Sequence, residues 1–274
     1  MADAQQQLSG HRKGTPALIL PERPRLIVLE GIDLSGRTTQ VQLLYDWLAA
    51  QRYQVTTTAW RTSPLIADVL ARARNQPPLK PLTYSLLYAA DQVDRTQRVI
   101  RPALQRGEIV LADRYIYTAF ARDAARGIDS SWLHNLYRHS VQPDVVFYLH
   151  ISPEEAVQRR LALQQQRFEA RHKKEGQGGK QGKKAKDKKG SKKDAKDKDA
   201  GQQQGLSVTA LTAPQPLLLA GDALESFRNF EMRMYSEYQH MQKAFDFTVI
   251  EGNQPIDHVQ ATLRRAIMRL LLEM

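Results

Sequence analysis

Five short runs along the chain are dominated by apolar or β-branched residues: RLIVLE (25–30), QVTTT (54–58), EIVLA (108–112), DVVFYLHI (144–151) and FTVI (247–250). Runs of this length between turn signals predict strands buried on both faces. Between them the apolar positions switch to helical spacing. Thr38 to Ala50 carries Val41, Leu43, Leu44, Trp47 and Leu48, and residues 222–244 carry Phe227, Phe230, Met234 and Tyr238 near i, i+3/i+4. Segments 64–75, 82–105, 116–126, 130–140 and 255–273 read as further helices. Another opens after the fourth strand, with Ser152 as N-cap and Pro153 in the first turn. Strands alternating with helices predict a parallel sheet covered on both faces, with ligands beyond the carboxyl ends of the strands.

Composition changes this picture in one place. The 274 residues are 42% hydrophobic, enough for one large domain with appendages. The net charge is +11, but residues 171–200 alone hold 13 Lys or Arg against 5 Asp or Glu. The basicity therefore sits in one low-complexity tract, while the rest is nearly balanced. The tract lacks aromatic and β-branched residues and cannot build a core, so 171–204 reads as a disordered Lys-rich insert. It would attract polyanions without reading bases. This argues against a nucleic-acid-binding module. Residues 1–24, ending in LPERP, read as an N-terminal extension, leaving 25–274 as the domain. The absence of cysteine excludes disulfides, a thiolate nucleophile and cysteine-ligated zinc, and the seven histidines show no ligand spacing. No apolar run reaches membrane-spanning length and the start lacks a signal-peptide pattern, so a cytoplasmic location is expected.

Two polar motifs begin where apolar strands stop. In GIDLSGRTT (31–39), Gly31 and Gly36 are separated by four residues, which frees the backbone to curl so that its N–H groups surround phosphate oxygens at a helix start. Thr38 is placed to offer its hydroxyl to Mg²⁺. Asp113-Arg114-Tyr115 follows the third strand on the same sheet rim. There an aspartate can hold Mg²⁺ or its waters, and an arginine can fork a phosphate. Each motif alone could be an ordinary turn; their shared position makes phosphate chemistry the better reading.

The segments LIVLEGIDLSGRTTQ, SLLYAADQVDRTQRVIRPALQRGEIVLADRY, PDVVFYLHISPEEAVQRR and ALESFRNFEMRMYSEY, in this order over about residues 25–270, resemble thymidylate kinase, a P-loop nucleoside monophosphate kinase family. The resemblance implies a three-layer α/β P-loop kinase fold on a five-stranded parallel sheet. It also implies transfer of the ATP γ-phosphoryl group to dTMP with Mg²⁺, and a homodimer. Carried over by position, Gly31, Ile32, Asp33, Leu34, Ser35, Gly36, Arg37, Thr38 and Thr39 would hold the ATP phosphates. Thr38 and Asp113 would serve the metal, and Arg37, Asp113 and Arg114 the catalysis. Asp33, Arg61, Arg114 and Thr118 would contact the acceptor nucleotide. Arg159, Arg160, Arg167 and Arg171 fall in the family's lid region.

The chain departs from the family at informative places. Arg37 stands where lysine is usual, and the expectation is that its charge matters more than its planar fork. Leu34 occupies a loop position that is often small. Gln92 stands where the family has an acceptor-binding arginine, with Arg95 one turn on as a candidate substitute. Arg122 and Asp123 replace a Tyr-Gln pair that contacts thymine, so they are candidate base readers, the alternative being a solvated helix face. A kinase for another nucleoside monophosphate, or a weak or inactive nucleotide-binding regulator, remains the competing reading.

Overall fold

The computed structural model describes residues 25–73, 79–181 and 221–272. Its sheet contains β1 (Arg25–Glu30), β2 (Val55–Ala59), β3 (Ile109–Asp113), β4 (Val145–His150) and β5 (Thr248–Glu251), each within one residue of the sequence expectation. All pairings are parallel, in the order β2-β3-β1-β4-β5. All six residues of β1 are buried, and its side chains alternate between two layers. Leu26 and Val28 join Val110, Ala112, Val146 and Tyr148 on one face, and Ile27 and Leu29 join Ile109, Leu111, Phe147 and Leu149 on the other. Burying such a side chain contributes about 1.5–3 kcal/mol, so the central strands anchor the fold.

Helices α1 (Arg37–Ala50), α2 (Ala67–Ala73), α3 (Pro81–Arg95), α4 (Arg101–Gln105), α5 (Ile116–Ala124), α6 (Ser130–Tyr137), α7 (Pro153–Gln181), α8 (Gly221–Ala244) and α9 (Ile256–Leu272) complete the described chain. Val41, Leu44 and Leu48 of α1 and Val259, Leu263 and Ile267 of α9 cover one face of the sheet. Helices α3, α5, α6 and α8 cover the other, through Ala89, Phe120, Leu133, Met234 and Tyr238 among others. The result is the three-layer α/β arrangement expected from the alternation of strands and helices.

Two helices differ from expectation. The segment read as one helix over 82–105 is interrupted by a π-helical turn at Thr96–Ile100, just before Pro102. Proline supplies no N–H and its ring crowds the preceding turn, so the register must widen there. Helix α7 begins as expected, with Ser152 Oγ accepting from Glu155 N at 3.1 Å. It runs on to Gln181, beyond the expected start of the insert at residue 171. Lys, Glu, Gln and Arg are good helix formers, so a charged composition does not by itself stop a helix. The N-terminal extension and residues 182–204 lie outside the described residues.

Because β1 sits between β3 and β4, the crevice beyond its carboxyl end is bounded by loops from both sides of the sheet. Both polar motifs open into it.

Candidate active site

Gly31 leaves β1 with φ +149°; an added Cβ would meet Leu149 O at 2.7 Å and Ser35 Oγ at 2.8 Å, so the turn tolerates only glycine. Gly36, at φ +93°, caps α1 without a side-chain hydrogen bond, and the first turn of α1 carries no acidic residue. The helix thus presents unsatisfied N–H groups and the positive end of its dipole to the crevice. Leu34 between the glycines is left-handed at φ 66°, and Arg61 (φ 65°) and Arg114 (φ 72°) share that conformation. All three line the same cleft. Left-handed non-glycine residues store of order 1–3 kcal/mol of strain and gather at functional sites.

Arg37 does not project freely from the loop. Arg37 as a whole is 6% exposed, and its guanidinium is folded under the loop. Nη1 donates to the carbonyls of Gly31 and Ile32 (2.9 Å for the latter) and lies 3.4 Å from Ser35 Oγ, while Nε donates to Asp113 Oδ1 at 3.3 Å. Two of the three guanidinium nitrogens, Nε and Nη1, are thus engaged within the protein. Thr38 Oγ1 donates to the other Asp113 oxygen at 2.5 Å, bringing the two expected metal-binding residues together. Among the described residues no cluster of three or more His, Cys, Asp or Glu assembles. The Thr38 and Asp113 oxygens are a partial set of hard ligands, and such a set fits Mg²⁺ whose remaining ligands are phosphate oxygens and water.

Glu30, at the end of β1, organises the turn after β3. Fully buried, it accepts from Tyr115 N at 2.8 Å, Thr118 N at 3.1 Å, Thr118 Oγ1 at 2.5 Å and Tyr238 OH at 2.8 Å. Burial pushes its carboxyl above the usual range, while the Thr118 hydroxyl and Arg114 act in the opposite sense. Arg114 ion-pairs with Asp33 and donates to Thr118 Oγ1 at 3.1 Å. Burial alone would raise the Asp33 carboxyl, but Arg114, then Arg37, Arg61 and Arg160, hold it below its usual value.

One wall of the cleft is aromatic and cationic. Trp60 stacks on Tyr88 with centroids 4.9 Å apart, and the Arg122 guanidinium lies 3.7 Å from the Tyr88 centroid and 4.8 Å from that of Trp60. Asp123 fixes the orientation. It is fully buried, takes Arg122 Nε at 2.7 Å on one oxygen and Ser85 Oγ at 2.7 Å on the other. Arg122 Nη2 comes within 2.7 Å of the same carboxylate but without hydrogen-bond alignment. Arg122 therefore faces the cleft and Asp123 does not: the structure separates the pair into a lining residue and its support.

Gln92 and Arg95 are likewise turned away. Arg95 is 1% exposed and donates to Asp91 (3.0 Å), Thr58 Oγ1 (2.9 Å) and Gln92 Oε1 (2.5 Å). Neither lines the cleft. The i, i+4 relation that made Arg95 a candidate substitute instead pairs it with Asp91 inside the fold. Asp91 also accepts from Arg61 N at 3.1 Å and Ser63 N at 3.0 Å, holding the left-handed Arg61 turn.

From the lid side, Arg159 donates to Leu34 O at 3.1 Å and Gly252 O at 2.9 Å, and Arg167 lines the cleft. Arg160 stacks on Phe227, 4.2 Å from its centroid, and the side chain of Arg171 lies outside the described residues. Helix α8 supplies Glu231, whose Oε2 accepts from Asp33 N at 3.0 Å. Sequence reasoning missed Glu231, Tyr88, Trp60 and Arg126. A signal for Glu231 existed: it falls on the apolar stripe of Phe227, Met234 and Tyr238, at spacings of four, three and four. The cleft joining all these groups has a volume of about 820 Å³.

Residues 29–188 match the family model described as Thymidylate kinase. The chain is 30% identical over 246 residues to "Probable thymidylate kinase 2" of Saccharolobus solfataricus, covering 89% of this chain and 96% of that protein. It is 40% identical over 161 residues to "Thymidylate kinase" of Synechococcus sp. (strain RCC307), covering 54% of this chain and 76% of that one. A glycine-flanked loop at a helix start, a Thr–Asp oxygen pair and an arginine-rich crevice thus occur on a chain whose relatives agree over most of its length, and the chain belongs to the thymidylate kinase family.

Proposed function

We propose that this protein transfers the γ-phosphoryl group of ATP to a nucleoside monophosphate, and that the preferred acceptor is dTMP. The observation that carries the reading is the cleft in which the Asp33–Thr39 part of the loop and the Arg114, Arg61 and Arg122 side chains share one volume. The loop N–H groups and the start of α1 receive the donor phosphates. Thr38 and Asp113 would hold Mg²⁺, which supplies charge neutralisation on the phosphates when bound. Arg114 sits where it can fork the acceptor phosphate, with Asp33 and Thr118 fixing its orientation. The acceptor phosphate oxygen attacks in line, and no enzyme nucleophile is needed.

The base preference follows from hydrogen-bonding capacity. Arginine donates and cannot accept. A guanidinium held over the Tyr88 and Trp60 rings favours a base that turns carbonyl oxygens toward it, as thymine does, over the amino group of cytosine or adenine. Self-association is part of the proposal. Leu82, Leu86 and Val93 on α3 are about half exposed, an apolar face that a second copy would cover. Among the described residues no helix is long and apolar enough to cross a membrane, which is compatible with a cytoplasmic enzyme.

The test is a panel of dTMP, dUMP, dCMP, dGMP and dAMP with ATP and Mg²⁺, read by product chromatography. Diphosphate formation with dTMP first in kcat/KM supports the reading. Nucleotide binding without product for any acceptor would support the second reading, a nucleotide-binding regulator. That reading is favoured by one observation: Arg37 is committed to Asp113 and the loop carbonyls.

A further inference from the structure

Glu231 is a carboxyl group with no role in the mechanism above. It is 1% exposed, lines the cleft, and reaches from α8 to the backbone N–H of Asp33 at 3.0 Å. The next residue, Leu34, is held at its carbonyl by Arg159 of α7, at 3.1 Å. Two helices from the lid side thus grip the peptide groups on either side of the Asp33–Leu34 pair, one through an N–H and the other through a C=O. Leu34 is left-handed between those grips, so the direction of the Asp33 side chain depends on both.

We propose that Glu231 is a positioning residue for the acceptor half of the site: by clamping the Asp33 peptide it holds the Asp33 carboxylate against Arg114, so that the acceptor phosphate meets an arginine already oriented. The proposal rests on the phosphoryl-transfer reading for its kinetic consequence, though not for the clamp itself. The groups that act on Glu231 are Asp33 of the loop, Arg114 after β3 and Arg37 of α1. From the turn after α5, Arg126 sits 4.9 Å from the ring of neighbouring Phe230, and from α7, Arg160 lies over Phe227 one turn away. Burial, then the adjacent Asp33 charge, raise the Glu231 carboxyl to about 8. At neutral pH the pair therefore carries its negative charge on Asp33. Above pH 8 a second negative charge enters the acceptor site and opposes the acceptor phosphate dianion.

The experiment compares wild type, Glu231→Gln and Glu231→Ala. Gln keeps an oxygen for the Asp33 N–H and cannot ionise; Ala has neither property. At pH 7, Glu231→Ala is expected to raise KM for dTMP about tenfold with KM for ATP changed less than twofold, while Glu231→Gln stays near wild type. Between pH 7 and 9, KM for dTMP should rise in wild type and stay flat in Glu231→Gln. An unchanged KM in Glu231→Ala, or an equal rise with pH in Glu231→Gln, overturns the proposal. Amide hydrogen exchange at Asp33 reads the clamp without turnover: it should accelerate in Glu231→Ala and not in Glu231→Gln. If no monophosphate is phosphorylated, the function reading fails, and this exchange measurement alone decides the clamp.

Discussion

Replacing Arg37 by alanine separates two jobs that one side chain can do. If the guanidinium serves only the bound phosphates, its loss leaves the ligand-free protein as stable as before. The geometry says otherwise. Removal deprives the carbonyls of Gly31 and Ile32 and one oxygen of Asp113 of donors in a nearly buried place. A buried polar group left without a partner costs about 1–3 kcal/mol. Gly31 O keeps a long contact to Arg114 at 3.4 Å and Asp113 keeps Thr38, so the lower end applies and the sum is about 3 kcal/mol. Lysine retains the charge but cannot reach Asp113 and both carbonyls together, and a loss of about 1 kcal/mol is expected, the size of one net hydrogen bond.

Urea unfolding without nucleotide measures this directly. With a slope of about 2 kcal/mol/M, Arg37→Ala should lower the midpoint by about 1.5 M and Arg37→Lys by about 0.5 M. Repeating the titration with Mg-ATP adds the second job. A ligand at 100 times its Kd stabilises by about 2.7 kcal/mol, and this increment should survive in Arg37→Lys and shrink in Arg37→Ala. Equal midpoints for wild type and Arg37→Ala in the absence of nucleotide would refute the latch. They would return Arg37 to the role of a simple phosphate-facing cation.

Three further outcomes are expected. Arg122→Ala should change the ranking among monophosphates with KM for ATP unaltered, and Asp123→Asn should do the same more weakly, since Asp123 acts by orienting Arg122; product analysis across the acceptor panel checks both. Stability should fall as pH rises from about 4.5 to about 8, because over that window folded Glu231 retains a proton that the unfolded chain releases. The Glu231 contribution amounts to a few kcal/mol over the window, and the fall should be smaller in Glu231→Gln than in wild type by urea unfolding at pH 5 and 8, the remainder coming from Glu30, whose buried carboxyl is raised in the same sense. Leu86→Glu should convert a dimer to a monomer in analytical ultracentrifugation if α3 forms the self-association face.

The sheet and the two motifs were legible because they rest on local signals: uninterrupted apolar runs, glycine spacing and the polar stop after a strand. Arg95 was misleading for a physical reason. Helical spacing says which residues share a face, not whether that face looks inward, and Asp91 with Thr58 draws Arg95 into the interior. The replacement of the family's Tyr-Gln pair by Arg122 and Asp123 read as a single change. Only the packing of Ser85 and Tyr88 from α3 divides it into a cleft-lining residue and its brace. Glu231 shows the same limit: a glutamate on an apolar stripe signals an anomaly, but its partner, Asp33 N, lies 198 residues away.

The position of β1 has a consequence for how the molecule comes into being. The GIDLSGRTT loop is encoded near residue 31, yet several of the parts that hold it arrive late. Strand β1 pairs with β3 and β4, its terminal Glu30 is gripped by Tyr238, 208 residues further on, and Arg159 ties Leu34 to Gly252 beyond β5. Such distant contacts form only after the intervening chain has been ordered, at the entropic cost of closing long loops. During synthesis the motif therefore lacks these contacts until α8 and the last strand have emerged. Ligand binding at the loop would then report completeness: a chain that stops short of α8 carries the whole GIDLSGRTT motif but lacks Glu231 and Tyr238, which brace it.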